Sequence, residues 1–237
     1  MNQLNYRHAL LIVAAGLLSC SLASADTVAI AAGVQTGNQQ WTGSIGNDFT
    51  VNSPVLITQL GAFDSGANGF SGTIRVVIYN ATTQTQVTPV ASLTGTTQPI
   101  TNGDRFAAIT PVLLPIGNYT VVAIGFSASD LDGDLSCNGN TVAGTECLGN
   151  NINAATLNTG GLLTFGGTRN GPDNGTLVYP TNTFGDPASA SGLLAGTFEF
   201  TAPTAGVPEP GAAGLLALGI AGLGLIGRAL SIRKTSA

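Results

Sequence analysis

Histidine and lysine are almost absent from this chain of 237 residues. The one histidine is His8 and the one lysine is Lys234, so residues 26–205 contain neither. These residues therefore lack the histidine that Ser-His-Asp or Cys-His hydrolysis requires. They also lack the imidazole ligands of a histidine-based zinc or iron site. Schiff-base chemistry on a lysine is excluded for the same reason. No glycine-rich segment has the strand, spacing and helix that a phosphate-binding loop needs.

Paired carboxylates are the remaining route to catalysis. Asp64, Asp130, Glu146 and Glu199 are the candidates, and the fold alone decides which of them lie close together. Glu199 alternates with two phenylalanines, a pattern typical of the solvated face of a strand. We therefore predict that the protein is not an enzyme.

Charged residues are few, and in the central part of the chain they are mostly acidic. Only 8% of all residues are charged, and Gly, Ser, Thr and Asn fill most polar positions, a composition typical of an extracellular β-protein with many turns. Residues 26–205 carry eleven of the twelve acidic residues against three arginines, a formal charge of −8. Such a surface repels phosphate backbones, so nucleic-acid binding is not expected.

Residues 1–25 have the pattern of a secretory signal peptide. Arg7 precedes an apolar run at residues 9–18, and the small residues before Asp26 predict cleavage after Ala25. The alternative is a lipoprotein signal, because residues 17–20 resemble the box in which Cys20 would be acylated. Both interpretations predict export.

Two cysteines remain after removal of the signal peptide. Cys137 and Cys147 lie in a Gly/Asn-rich segment. An even pair in an exported protein predicts a disulfide. A metal site is the alternative, although two thiols without histidine make a poor one.

Residues 26–202 are predicted to form one β-domain. Short apolar alternations separated by turn residues such as Asn102-Gly103-Asp104 predict strands, and no segment has a convincing helical period. The strand patterns occupy residues 55–63, 73–79, 105–109, 119–126 and 197–201, with weaker ones at 162–165 and 176–179. We expect an all-β, antiparallel two-sheet β-sandwich of jelly-roll-like type, with a long Gly/Asn-rich insertion around residues 130–184.

A family resemblance supports this fold. The motifs Leu60-Gly61-Ala62-Phe63-Asp64, Asp104-Arg105-Phe106 and Leu114-Pro115-Ile116-Gly117-Asn118-Tyr119, in this order, are similar to β-sandwich domains of unknown function in bacterial surface proteins. The resemblance covers residues 49–126. It implies a fold and no activity.

Two features are candidates for ligand binding. Asp130, Asp132 and Asp134 alternate around Gly133, as in the first half of a calcium loop, so a Ca²⁺ site is one interpretation and a solvated turn is the other. Trp41 is the only tryptophan. It is either a platform for a sugar ring or part of the core.

The end of the chain combines three features in a fixed order. Residues 203–210 form a linker that ends in Val207, Pro208, Glu209 and Pro210. An uncharged run at 211–227 reaches about 26 Å as a helix, and residues 211–232 predict a transmembrane helix. The basic residues Arg228, Arg233 and Lys234 then satisfy the positive-inside rule for an exported domain.

This arrangement resembles the PEP-CTERM sorting signal of exopolysaccharide-producing Gram-negative bacteria. The resemblance implies that exosortase, a membrane protease, recognises Pro208, Glu209 and Pro210 and removes a transient membrane anchor. We therefore expect an exported cell-surface or extracellular-matrix protein, structural or adhesive, associated with exopolysaccharide and biofilm. The alternative hypothesis is a calcium-dependent carbohydrate-binding module.

Overall fold

The computed structural model describes residues 26–141, 146–184 and 190–203. The described residues up to Ala202 belong to one compact unit. The predicted signal peptide, the motif ending at Pro210, the membrane segment 211–232 and the basic tail lie outside the described residues. Among the residues that are described, no helix has the length and apolar character needed to cross a membrane.

The described part of the chain consists of sixteen β-strands and three single-turn 3₁₀ helices, and it has no α-helix. In chain order the strands are β1 (Thr27–Val28), β2 (Ile30–Ala31), β3 (Ile45–Val51), β4 (Val55–Phe63), β5 (Phe70–Asn80), β6 (Thr85–Gln86), β7 (Ala91–Gly95), β8 (Ile100–Thr101), β9 (Asp104–Leu114), β10 (Gly117–Ile124), β11 (Gly133–Asp134), β12 (Thr156–Leu157), β13 (Leu163–Asn170), β14 (Asn182–Phe184), β15 (Leu193–Leu194) and β16 (Gly196–Thr201). The 3₁₀ helices are Ser65–Ala67, Leu135–Cys137 and Ala190–Gly192.

Two antiparallel sheets form the body of the domain. The five-stranded sheet has the order β1-β16-β4-β9-β8, and the seven-stranded sheet has the order β14-β13-β3-β10-β5-β6, with β7 also paired to β5. Two small pairs, β11 with β15 and β12 with β2, lie outside these sheets. The prediction of an all-β sandwich with antiparallel pairing is confirmed.

The inner faces of the two sheets share one apolar core. Phe49 of β3 and Phe198 of β16 contact each other across the sandwich, with ring centroids 4.7 Å apart. In β5, the side chains predicted to share a face, Ile74, Val76 and Ile78, are all fully buried in this core. Burial of each such side chain stabilises the fold by about 1.5–3 kcal/mol.

The outer face of the seven-stranded sheet is covered in part by a loop. Val77, Val122, Tyr79 and Tyr179 form a second, smaller apolar cluster, and the two tyrosine rings meet edge to face at 5.8 Å. The strand predicted at residues 176–179 is not formed. Its apolar side chains pack on the outside of the sheet instead, which explains the strand-like pattern.

A tight turn joins β8 to β9. Thr101 pairs with Asp104, so the two residues between them form the turn. Asn102 and Gly103 both have positive φ, 52° and 84°, as a type I′ turn requires. A Cβ on Gly103 would overlap the carbonyl oxygen of Gly33. The turn predicted from Asn-Gly-Asp is confirmed, and its glycine is required by both conformation and space.

Candidate functional site

A disulfide holds the loop that follows β11. Cys137 and Cys147 are bonded, with their Cα atoms 5.1 Å apart, as the sequence predicts. The buried side chain of Asn38 connects this loop to the start of the domain. Its Nδ2 lies within 3.0 Å of the carbonyl oxygens of Asp134 and Asn150, and its Oδ1 accepts from the amide of Asp134.

The structure gives Asp130 and Asp134 separate roles in holding the backbone. The carboxylate of Asp130 accepts the amide hydrogens of Ser71 and Gly72 at 2.7 and 2.8 Å, at the start of β5. Asp134 caps the 3₁₀ helix that follows it by accepting from the amide of Ser136 at 2.8 Å. Among the described residues, no three acidic, cysteine or histidine side chains lie together in a geometry that could hold a metal ion.

Asp132 differs from these two aspartates, because one of its two carboxylate oxygens has no hydrogen-bond partner. Oδ1 accepts from the amide of Trp41 at 3.1 Å, whereas the buried Oδ2 has no hydrogen bond. Burial raises the pKa of Asp132 to about 8, against the effect of its backbone hydrogen bonds, and the charges of Asp134 and Glu146 add to the increase. Gln39, which pairs with Asp132 in an isolated β-bridge, also has a buried Oε1 without a hydrogen-bond partner. The Asp132 carboxyl group is therefore either protonated and neutral at moderate pH, or ionised with its charge balanced by a cation.

Trp41 lies at the edge of the core beside Asp132. Its ring is partly buried and packs on the main apolar cluster, and its buried Nε1 has no hydrogen-bond partner. The ring also borders a cavity of about 200 Å³ that Asp134 and Glu146 line as well. Trp41 thus contacts the core on one side and borders a polar cavity on the other. Its position therefore does not distinguish a core residue from a platform for a sugar ring.

Two of the other candidate carboxylates are held by neighbouring side chains. Asp64 is buried and pairs with Arg105 at 2.6 Å. Glu199 accepts a hydrogen bond from Gln59 and is only 9% exposed, so the prediction that it lies on a solvated face is wrong. Its pKa is raised, mainly by burial. Gln59, which pairs with Glu199 from the neighbouring strand β4, contacts its side chain at the position that alternation alone assigns to solvent.

A second pocket is one that the sequence did not indicate. It is an open groove of about 370 Å³ on the outer face of the seven-stranded sheet, and we call it the Asp48 groove. It lies where β13 bulges, because Phe165 pairs with Phe49 but the next pair is Thr168 with Asn47. Two glycines of β13 therefore face the single residue Asp48 of β3. The lining includes Asp48, Thr50, Thr82, Asn118, Gly166 and Arg169.

An ion pair is the main polar feature of the Asp48 groove. Nε of Arg169 donates to both carboxylate oxygens of Asp48 at 2.8 Å, and each side chain is 22% exposed. Thr120 donates to Oδ1 of the same carboxylate at 2.6 Å. The guanidinium also lies over the ring of Tyr179, 5.5 Å from its centroid. The hydrogen bond to Asp48 raises the pKa of Arg169, so the arginine is charged and fixed in place.

A second hydrogen-bonded pair lies at the same groove. Thr50 Oγ1 donates to Oδ1 of Asn118 at 2.9 Å, on the neighbouring strands β3 and β10. Both side chains are exposed enough to meet a ligand. In sequence the only sign of this site is Gly166-Gly167 followed two residues later by Arg169, and nothing in that spacing connects it to Asp48.

No model of a known protein family matches the sequence, and no curated protein matches it.

Proposed function

We propose that this chain is an exported cell-surface or extracellular-matrix protein, sorted by a PEP-CTERM signal and associated with exopolysaccharide, with a structural or adhesive role and no catalysis. The observation that carries the proposal is the order of Val207-Pro208-Glu209-Pro210, an apolar segment at 211–232 and a basic tail. The prolines deny a helix its amide donors, so an extended segment precedes the apolar run, where a protease has access.

The described domain is consistent with this proposal. A disulfide at Cys137 and Cys147 suits an oxidising compartment outside the cytoplasm. A sandwich of jelly-roll-like type, to which we assign the domain, offers long loops and an open sheet face for contacts with matrix polymers. Exosortase would be a transient partner, and the membrane a transient anchor.

Processing in an exosortase-containing host tests the proposal. The variant with Pro208→Ala, Glu209→Ala and Pro210→Ala is expected to keep its tail and to accumulate with the inner membrane. The matched control is Pro203→Ala, which changes a proline of the same linker outside the motif and should be processed as the parent chain is. Mass spectrometry of the C-terminus and membrane fractionation provide the readouts. Unchanged processing and localisation of the triple variant would refute the proposal.

A calcium-dependent carbohydrate-binding module is the second candidate function. The observation that favours it is the unpaired Oδ2 of Asp132, a carboxyl group that interacts electrostatically with Asp134 and Glu146. Both of these residues line the cavity that Trp41 borders. A calcium ion would bring the missing positive charge, with Gln39 Oε1 as a neutral oxygen ligand.

Calcium titration by calorimetry tests this candidate. Asp132→Asn and Glu146→Gln should each abolish the heat of binding. Trp41→Ala separates the two interpretations of the ring, because lost glycan binding in a stable protein indicates a platform and lost stability indicates core. Absence of any calcium heat with the parent protein would reject the candidate.

A further inference from the structure

We propose that the Asp48 groove is a binding site for a neutral polysaccharide, with Asp48 and Arg169 as the residues that contact sugar hydroxyls. The inference rests on the proposed function, since it names the matrix component that the exported domain contacts. It does not involve calcium or Trp41, so it is independent of the second candidate function.

Hydrogen-bonding capacity is the first argument. Arg169 uses only its Nε in its hydrogen bonds to Asp48, and its two terminal NH₂ groups have no acceptor among the described residues. The carboxylate of Asp48 accepts three bonds, so one of its four lone-pair sites remains. Asn118 uses its oxygen on Thr50 and keeps its NH₂ group for a ligand. The groove thus offers several donors next to an acceptor, and a sugar hydroxyl both accepts and donates.

Charge is the second argument, and it selects a neutral ligand. Asp48 cancels the charge of Arg169 within the groove. Residues 26–205 carry a formal charge of −8, so the field of the domain repels acidic polymers. A polysaccharide without carboxylate or sulfate groups avoids this repulsion and still uses every hydrogen-bonding group of the site.

Preorganisation is the third argument. Arg169 is held by Asp48 on one side and by the face of Tyr179 on another, and Thr120 holds Asp48. Fixed side chains lose little conformational entropy on binding, so even a shallow groove can gain useful affinity. The volume of about 370 Å³ is within the range of small-ligand sites, and the open ends suit a polymer.

The bulge of β13 provides the space. A Cβ on Gly166 would lie 3.3 Å from Cβ of Asp48, so any side chain there takes space directly beside Asp48. The φ of Gly166 is not in the positive region, and alanine is therefore compatible with the backbone. Gly166→Ala should reduce the space beside Asp48 while keeping the ion pair, which makes it a test of the groove itself.

Affinity electrophoresis of the full chain as its host exports it tests the proposal. The probes are dextran and galactomannan as neutral polysaccharides and alginate as an acidic one. We expect retardation by at least one neutral polymer and none by alginate. Arg169→Met and Asp48→Asn should each weaken binding at least tenfold, and Gly166→Ala should weaken it measurably. Arg75→Met is the matched control, because Arg75 is an arginine of β5 that does not line the groove, and it should bind as the parent protein does.

Several results would overturn the inference. These are absence of binding to both neutral polymers, binding to alginate alone, or equal losses in Arg75→Met and Arg169→Met. Binding lost in Trp41→Ala but kept in Arg169→Met would place the glycan at the tryptophan cavity. Melting temperatures identify unfolded variants. If a charge variant is unfolded, Gly166→Ala decides whether the groove binds glycan, because it leaves every charged group in place.

A chain that is processed at its sorting motif but binds no glycan would refute this inference alone. Glycan binding with unchanged processing of the triple variant would refute only the sorting proposal.

Discussion

The unpaired carboxylate of Asp132 makes the stability of the domain depend on pH. Its pKa is raised from 3.8 to about 8 in the folded protein, chiefly by burial. A folded pKa above the unfolded value means that the folded state holds the proton more tightly. The associated stability is fully present below about pH 4 and is lost as the pH rises through about 8. Asp132→Asn should remove this loss, because the amide keeps an oxygen for the Trp41 amide hydrogen and carries no titrating proton.

The size of the effect follows from linkage. One pKa unit corresponds to about 1.4 kcal/mol, so the parent protein should lose up to about 4 kcal/mol between about pH 5 and about pH 8 through this group. Water that reaches Oδ2 would reduce the figure. The asparagine variant should match the parent protein at about pH 4 and below, and should exceed its free energy of unfolding near pH 8. The new NH₂ group also gains a candidate acceptor in the unpaired Gln39 Oε1.

Urea denaturation at a series of pH values measures the difference between the two proteins. Asp173→Asn is the matched control, since it makes the same substitution at an exposed aspartate. Parallel profiles for the parent protein and Asp132→Asn would refute the reasoning. If a divalent cation occupies the site, added calcium should flatten the profile of the parent protein and leave that of the variant unchanged.

Three further predictions concern stability. Replacing Cys137 and Cys147 by serine should lower the free energy of unfolding by about 2–3 kcal/mol, measured by urea denaturation; a reductant should then have no further effect on the variant. Arg105→Met leaves the buried Asp64 without its cation and should cost about 3–5 kcal/mol, whereas a change in the urea midpoint below experimental error would contradict this. Gly103→Ala forces a Cβ into a positive-φ turn against a facing carbonyl and should cost about 1–3 kcal/mol. An unchanged melting temperature would show that the turn can relax.

The sequence was most informative where a strand buries one face. Residues 55–63 were predicted as a strand, and β4 has these bounds. The alternation in β5 also assigned Ile74, Val76 and Ile78 to the core correctly. Such assignments succeed because burial of alternate side chains leaves a period of two in the sequence.

Strand β3 shows why other parts could not be predicted. This central strand was not predicted, because Asn47 and Asp48 interrupt its apolar pattern. Asn47 Nδ2 donates to the carbonyl of Leu193, and Asp48 pairs with Arg169. Both partners lie more than a hundred residues further along the chain, so no local pattern reveals them. The Asp48 groove depends on the same pairing and on a bulge in β13, and it was missed for the same reason.

The aspartate cluster illustrates competition between two uses of one residue type. Alternating aspartates suit a calcium loop, but short polar side chains also bond the backbone of turns. Asp130 and Asp134 take the second role, as hydrogen-bond acceptors for amide groups at residues 71, 72 and 136. Spacing alone does not distinguish these uses, because both place oxygens at every second residue.

The segment at residues 130–157 is held mainly by neutral hydrogen-bonding groups. Neutral amide side chains hold this segment: Asn38 bonds Asp134 and Asn150, and Asn138 bonds the amide and the carbonyl of Ile152. Unlike ion pairs, such bonds are little affected by salt or by moderate changes of pH. With the disulfide they order a long segment that has no α-helix among its described residues. Asp132 lies within the same segment but has an unpaired oxygen, so pH and cations can act on the segment at that residue.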